Sequence, residues 1–190
     1  PWNGAEWVAS TKGEQYRRAL YTFWKRTASY PSMMSFDATS RELCTPRRIR
    51  TNTPLQALVT LNDTVYLDLA RHFAHRLDSL APDDAKREIE AAYRTMLYKE
   101  IGPDKLAILL GLYSESLDRF VHRPADARKM LGMTPGDDKG IAAPMKVTQV
   151  KAGGGEGGAG GMSLTHLADK AALVVVCNAM LNLDEVITRN

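Results

Sequence analysis

The chain has 190 residues, 44% of them hydrophobic and 25% charged, with a formal net charge of +3. This is globular composition, enough for one ordinary domain with or without an appendage, and it excludes a disordered tail. So mild a net charge gives no case for nucleic acid or an anionic membrane as the partner of the global field.

The opening PWNGAEWVAS has neither a basic start nor an apolar run, so it does not read as a signal peptide. Without an initial Met, and with Trp2 and Trp7 so early, the chain reads as a piece of a larger protein. Residues 1–13 look irregular. From about Glu14, EQYRRALYTFWKRT places Tyr16, Leu20, Phe23 and Trp24 at helical spacing, with Arg17, Arg18, Lys25 and Arg26 on the remaining circumference. That spacing predicts an amphipathic helix. Pro31 and Pro46 then interrupt a stretch without sustained period, read as an ordered loop or short helical turns.

The sharpest start signal is TNTPLQAL. Thr53 is placed to cap, Pro54 to occupy the first helical position, and Gln56 to complete a capping box. The helix continues through Leu55, Leu58 and Val59. Asn62-Asp63 then offers a second cap, leaving open whether the next segment is a new helix or a continuation. Its apolar stripe is Val65, Leu69, Phe73, Leu77 and Leu80. The stretch APDD breaks that helix and caps another, whose inner face is Ile89, Ala92, Tyr93, Met96 and Leu97. Gly102-Pro103 stops it, and Asp104 is read as the cap of a further helix through Leu106, Leu109, Leu110, Tyr113, Leu117 and Phe120. A short helix follows from Pro124 to about Leu131.

Residues 132–163 lose periodicity, and GGGEGGAGG (153–161) is a flexible linker by composition. Leu164 to about Thr188 is apolar on nearly every side between Ala171 and Leu181. This suggests a central core helix, although Val174–Val176 also allows a buried strand. The strongly apolar run, 171–181, falls short of the roughly 20 residues of a membrane span. No alternating two-residue pattern is long enough for a sheet. The expectation is one all-α domain over 1–190: an irregular bundle of about six helices, with a long Arg-rich loop and a central C-terminal helix.

The chemistry concentrates in that loop, where Asp37, Arg41, Glu42, Arg47, Arg48 and Arg50 crowd together just before the capped helix. Arginine's planar fork suits carboxylate and phosphate, so one reading is an anion site. The other is an internal salt-bridge cluster that pins an irregular loop and satisfies its backbone. Arg47 and Arg50 buried against Asp37 and Glu42 would select the second. Neighbouring arginines keep Asp37 and Glu42 ionised, which suits pairing better than proton transfer, and no catalytic residue is assigned. Aromatics are missing between residues 37 and 65, which disfavours single-stranded nucleic acid.

Cys44 beside Arg41 and Arg47 would have its thiolate favoured. With no His partner, the sequence reads it as a buried small residue or as paired with Cys177. His72 and His75 are three apart, but no acidic or cysteine ligand stands at a recognisable spacing, so no metal is assigned. The chain lacks C-x-x-C-H, and therefore binds no haem of its own by that motif; it also lacks a Walker loop, G-x-G-x-x-G and G-x-S-x-G. Asn182 and Asp184, in NLDE, are read as bonding loop backbone.

YRRALYTFWKRT, FDATSRELC, RRIRTNTPLQALVTLND and LNLDEVITR together resemble a planctomycete-type domain of unknown function. That domain is the C-terminal part of large exported bacterial proteins often called planctomycete cytochrome c proteins. The similarity covers residues 14–131 and 164–189, in the family's order. Thr39 and Thr64 depart from it, standing where the family usually has Pro. The resemblance implies a periplasmic or exported location and upstream domains of the same polypeptide as partners. One of these would be a c-type cytochrome domain, with any haem c held there and not in this chain. It implies no activity. The leading expectation is a non-catalytic structural or interaction module. The alternative is part of a cytochrome c-linked redox enzyme acting on carbohydrate or another small compound, its anionic group held by Arg47, Arg48 or Arg50.

Overall fold

The computed structural model describes residues 7, 16–25, 28–39, 44–47, 51–80, 84–133 and 164–188. Arg41, Glu42, Arg48 and Arg50 lie outside them, as does the Gly-rich stretch 153–161. The described residues are helical and contain no strand. In order the helices are α1 (Pro31–Ser35), α2 (Pro54–Asn62), α3 (Thr64–Asp78), α4 (Ala85–Leu97), α5 (Pro103–His122), α6 (Pro124–Met130), α7 (Leu164–Leu181) and α8 (Asp184–Thr188). Two compact units share them, 1–69 with 181–190, and 70–180.

The second unit holds the apolar core. Ala70, Ala74 and Leu77 of α3, Ile89, Ala92 and Tyr93 of α4, and Leu109 and Phe120 of α5 are all buried. Helix α7 dominates it, with ten buried residues from Leu167 to Met180, among them Ala168, Ala171 and Ala172, whose small side chains permit close approach. Burying each of its larger side chains stabilises the unit by about 1.5–3 kcal/mol. Val174–Val176 is therefore helix, because tertiary burial outweighs the modest cost of β-branched residues. By length and composition α7 would also cross a membrane, a test that a core helix passes equally, and more than half of it is buried here.

Polar pairs orient this apolar rod. Lys170 Nζ lies 3.0 Å from Asp78 Oδ2, both side chains largely buried, and Tyr113 Oη donates to Asp169 Oδ1. At the end of α6, Gly132 N–H reaches Lys129 O at 3.0 Å and Met133 N–H reaches Arg128 O at 3.0 Å, the two bonds of a Schellman closure. Gly132 has the φ of +74° that this closure demands. Arg71 Nε donates to Met130 O at 2.6 Å and its Nη2 to Lys129 O at 3.0 Å, adding charge where the helix carbonyls end.

Several expectations need correction. Residues 16–25 are not an amphipathic helix: a single 3-10 turn, Ala19–Tyr21, is formed, and Tyr16, Leu20, Tyr21 and Phe23 are exposed. A short stripe is helical only if packing supports it, and these side chains have no packed face. Leu69 and Leu80 leave the predicted α3 stripe for solvent, while Ala70 and Ala74 are buried. The cap of α5 is Gly102, with Pro103 in the first turn and Asp104 beside it near the positive helix end. Helix α3 does start afresh, since Asp63 Oδ1 accepts from Val65 N–H at 2.8 Å.

Candidate functional site: the polar cluster of Asp37 and Gln56

The cluster belongs to the first unit and begins with a helix end. Asp37 has φ of +56°, a left-handed conformation that Asp tolerates better than most residues. It lets Ala38 N–H return to Met33 O at 2.9 Å and so closes α1. The same residue's carboxylate reaches forward: its Oδ2 accepts from Thr51 N–H at 2.8 Å and from Thr51 Oγ1 at 2.7 Å. Asp37 thus ties the end of α1 to the approach of α2.

The start of α2 supplies the rest. Thr53 Oγ1 accepts from Gln56 N–H at 3.3 Å, and Gln56 Oε1 accepts from Thr53 N–H at 2.9 Å, the reciprocal capping box. Gln56 is only 1% exposed, so its amide must be satisfied internally. Its Nε2 donates among Ser35 O at 2.9 Å, Thr51 Oγ1 at 3.2 Å and Asp37 Oδ2 at 3.3 Å. One side chain therefore caps its own helix and binds the preceding loop.

One turn further, Thr60 is equally buried and packs its hydroxyl 2.9 Å from Asn182 Oδ1, with Ala57 O and Gln56 O at 3.0 and 3.1 Å. Asn52 Nδ2 donates to Asp184 Oδ1 at 2.9 Å. Asn182 and Asp184 thus bond side chains of the α2 region, a correction to the expected loop backbone. Sequence reading missed Thr51, Asn52 and Thr60. The signal for Thr60 was its place four residues after Gln56, on the same helix face; nothing in the sequence marked Thr51 or Asn52.

Of the other candidates, the described ones make none of these bonds. Arg47 is exposed, so it is not the buried partner of Asp37 that a salt-bridge lattice would need. Cys44 is exposed and free and Cys177 is buried and free, which corrects both the buried and the disulfide reading of Cys44. Burial first, and then the charge of buried Glu88, pushes the Cys177 thiol up to about 12, so it is an inert core group. His72 and His75 are exposed, and no group of three or more metal-ligating side chains occurs among the described residues. Arg17, Arg18 and Tyr21 line an open surface depression.

Chemically, the cluster offers an exposed carboxylate at Asp184 and a committed one at Asp37, with amides and hydroxyls between them. Its arrangement fixes backbone. No curated protein and no solved structure matches the chain. A family model described as PSD1, protein of unknown function (DUF1553), matches residues 2–113, more than half of the chain, which therefore belongs to that family.

Proposed function

We propose that the chain is a helical structural and interaction module of a larger exported protein, not catalytic on its own, in which the Asp37–Gln56 cluster folds the loop and sets the start of α2. The observation that carries this reading is the Asp37 carboxylate. One of its oxygens takes three donors from its own chain, so the acid placed nearest to act in chemistry is committed to holding structure. Export, upstream domains as partners, a c-type cytochrome among them and haem c held there draw on the family resemblance and are part of the proposal.

Thermal unfolding of Asp37→Asn and Asp37→Ala tests it. Asn tolerates the same left-handed backbone, so it isolates the carboxylate, whereas Ala removes both contributions. Weakening hydrogen bonds to a charged acceptor costs about 2–4 kcal/mol, a fall of about 5–15 °C in Tm for a domain of this size. An unchanged Tm in both variants would sink the reading and return the cluster to ligand binding. The redox-enzyme alternative draws on the exposure of Arg47; saturable binding of a uronic acid, lost in Arg47→Ala, would favour it.

A further inference from the structure

The segment 16–25 forms no long helix, and its irregular path gathers cations on one side. Tyr16 Oη donates to Asp68 Oδ2 at 3.2 Å and so anchors the segment to α3. A bend at Arg17 and the turn Ala19–Tyr21 follow. That turn closes with Tyr21 N–H on Arg18 O at 2.9 Å, which folds residue 18 back over residue 21. Arg17, Arg18 and Tyr21 thereby line one concavity of about 270 Å³, with no carboxylate in its wall. Neighbouring donors are engaged: Lys25 Nζ lies 4.3 Å from the Trp7 ring centroid, and Trp7 Nε1 donates to Ala28 O at 3.2 Å. The two guanidinium groups and the Tyr21 phenol, by contrast, make no side-chain hydrogen bond or ion pair among the described residues. A single exposed arginine is an ordinary solvated cation. Two on one concavity, with no acid between them, concentrate positive charge where only water or an anion meets it.

We infer that this concavity is a binding site for a small oxyanion: the carboxylate, sulfate or phosphate group of a single-ring compound. The inference goes beyond the module reading and does not depend on it. A guanidinium presents fixed pairs of N–H donors that match two oxygens of such a group, which a lysine does not. The phenol adds an O–H donor and a ring beside them. The volume lies just under the roughly 300–1,000 Å³ of sites for drug-sized molecules, which excludes a large ligand. The concavity is open to water, so its bonds are screened and the affinity is weak and salt-dependent.

Isothermal titration calorimetry of the whole 190-residue chain at low ionic strength is the test. The probes are inorganic sulfate, inorganic phosphate and glucuronate, with glucose as the neutral control. The expected result is saturable binding of at least one of the three anions and none of glucose; the tightest identifies the group. Both arginines are exposed, so their variants keep the fold. Arg17→Gln and Arg18→Gln should each raise the dissociation constant about tenfold, through loss of a forked contact to a charged group. Lys86→Gln removes an equal charge from the exposed face of α4 and should leave the affinity unchanged. Failure of all three anions to bind saturably overturns the inference. An equal loss in Lys86→Gln overturns it too, because the attraction is then to net charge alone. Binding lost in Arg47→Ala but kept in Arg17→Gln and Arg18→Gln also overturns it, and gives the anion to the redox-enzyme alternative. None of these outcomes alters the melting of the Asp37 variants, so failure here is distinguishable from failure of the module reading.

Discussion

Helices α2 and α7 show two opposite ways of using apolar residues. Helix α7, in the second unit, is sheathed in Leu, Val, Ala and Met and buries them. Helix α2, in the first, is richer in leucine for its length, yet it buries an amide and a hydroxyl and leaves leucines in water. The second unit is held by non-directional burial, with Lys170–Asp78 and Tyr113–Asp169 adding direction. The first is held largely by directional bonds that converge on Gln56, Asp37 and Thr60. The difference teaches that apolar composition alone does not assign a helix to a core: the bonds made by its polar residues decide which face is turned in.

The largest expected effect separates the two units directly. Leu167→Ala, at a fully buried site of α7, should cost about 2–5 kcal/mol through lost burial and a cavity. Leu55→Ala, the same chemical change on α2, should stay within about 0.5 kcal/mol. Chemical denaturation of the two variants measures both, and equal losses would break the comparison.

A second effect belongs to the second unit alone. Because burial raises its folded-state thiol from the ordinary 9.0 to about 12, Cys177 ionises first in the unfolded chain as pH rises. Its contribution is fully present below pH 9 and is lost as pH climbs towards 12, on the order of a few kcal/mol over that window. Cys177→Ala should therefore flatten the alkaline loss of stability relative to wild type, as read by unfolding at stepped pH. Parallel slopes would show that the thiol is not held as buried as the structure places it.

The smallest effect sharpens the comparison by asking whether backbone geometry matters in the second unit as it does at Asp37 in the first. Gly132→Ala meets both the positive φ and the Arg71 guanidinium, whose carbon would lie 3.1 Å from the new Cβ. The expected cost is about 1–2 kcal/mol, measured by the shift in denaturation midpoint. A neutral result would mean that the α6 closure yields easily.

Much of the helical order was legible because it rests on local chemistry. Thr53, Pro54 and Gln56 announce the start of α2 within four residues, whereas Asn62-Asp63 offered a second cap without deciding whether α3 began afresh. Gly102-Pro103 marked the break after α4, although the cap of α5 was misplaced onto Asp104, and Pro124 marked the start of α6. The stripe at Tyr16, Leu20 and Phe23 misled, since periodicity describes a helix that would form if packed and does not supply the packing. The candidate site was legible by half. Asp37, Thr53 and Gln56 stood out as charge and cap, whereas Thr51, Asn52 and Thr60 are ordinary polar residues until the chain brings Asn182 and Asp184 beside two of them.

The sequence by itself determined the all-helical class, the capped helix starts and the apolar character of α7, because propensity, capping and composition act over a few residues. Tertiary structure alone decided that α2 turns its leucines outward, that Asp37 serves both α1 and Thr51, and that Asn182 and Asp184 meet Thr60 and Asn52. Those outcomes depend on partners up to 132 positions apart in the chain, and the orientation of a helix follows from which of its bonds such distant partners complete.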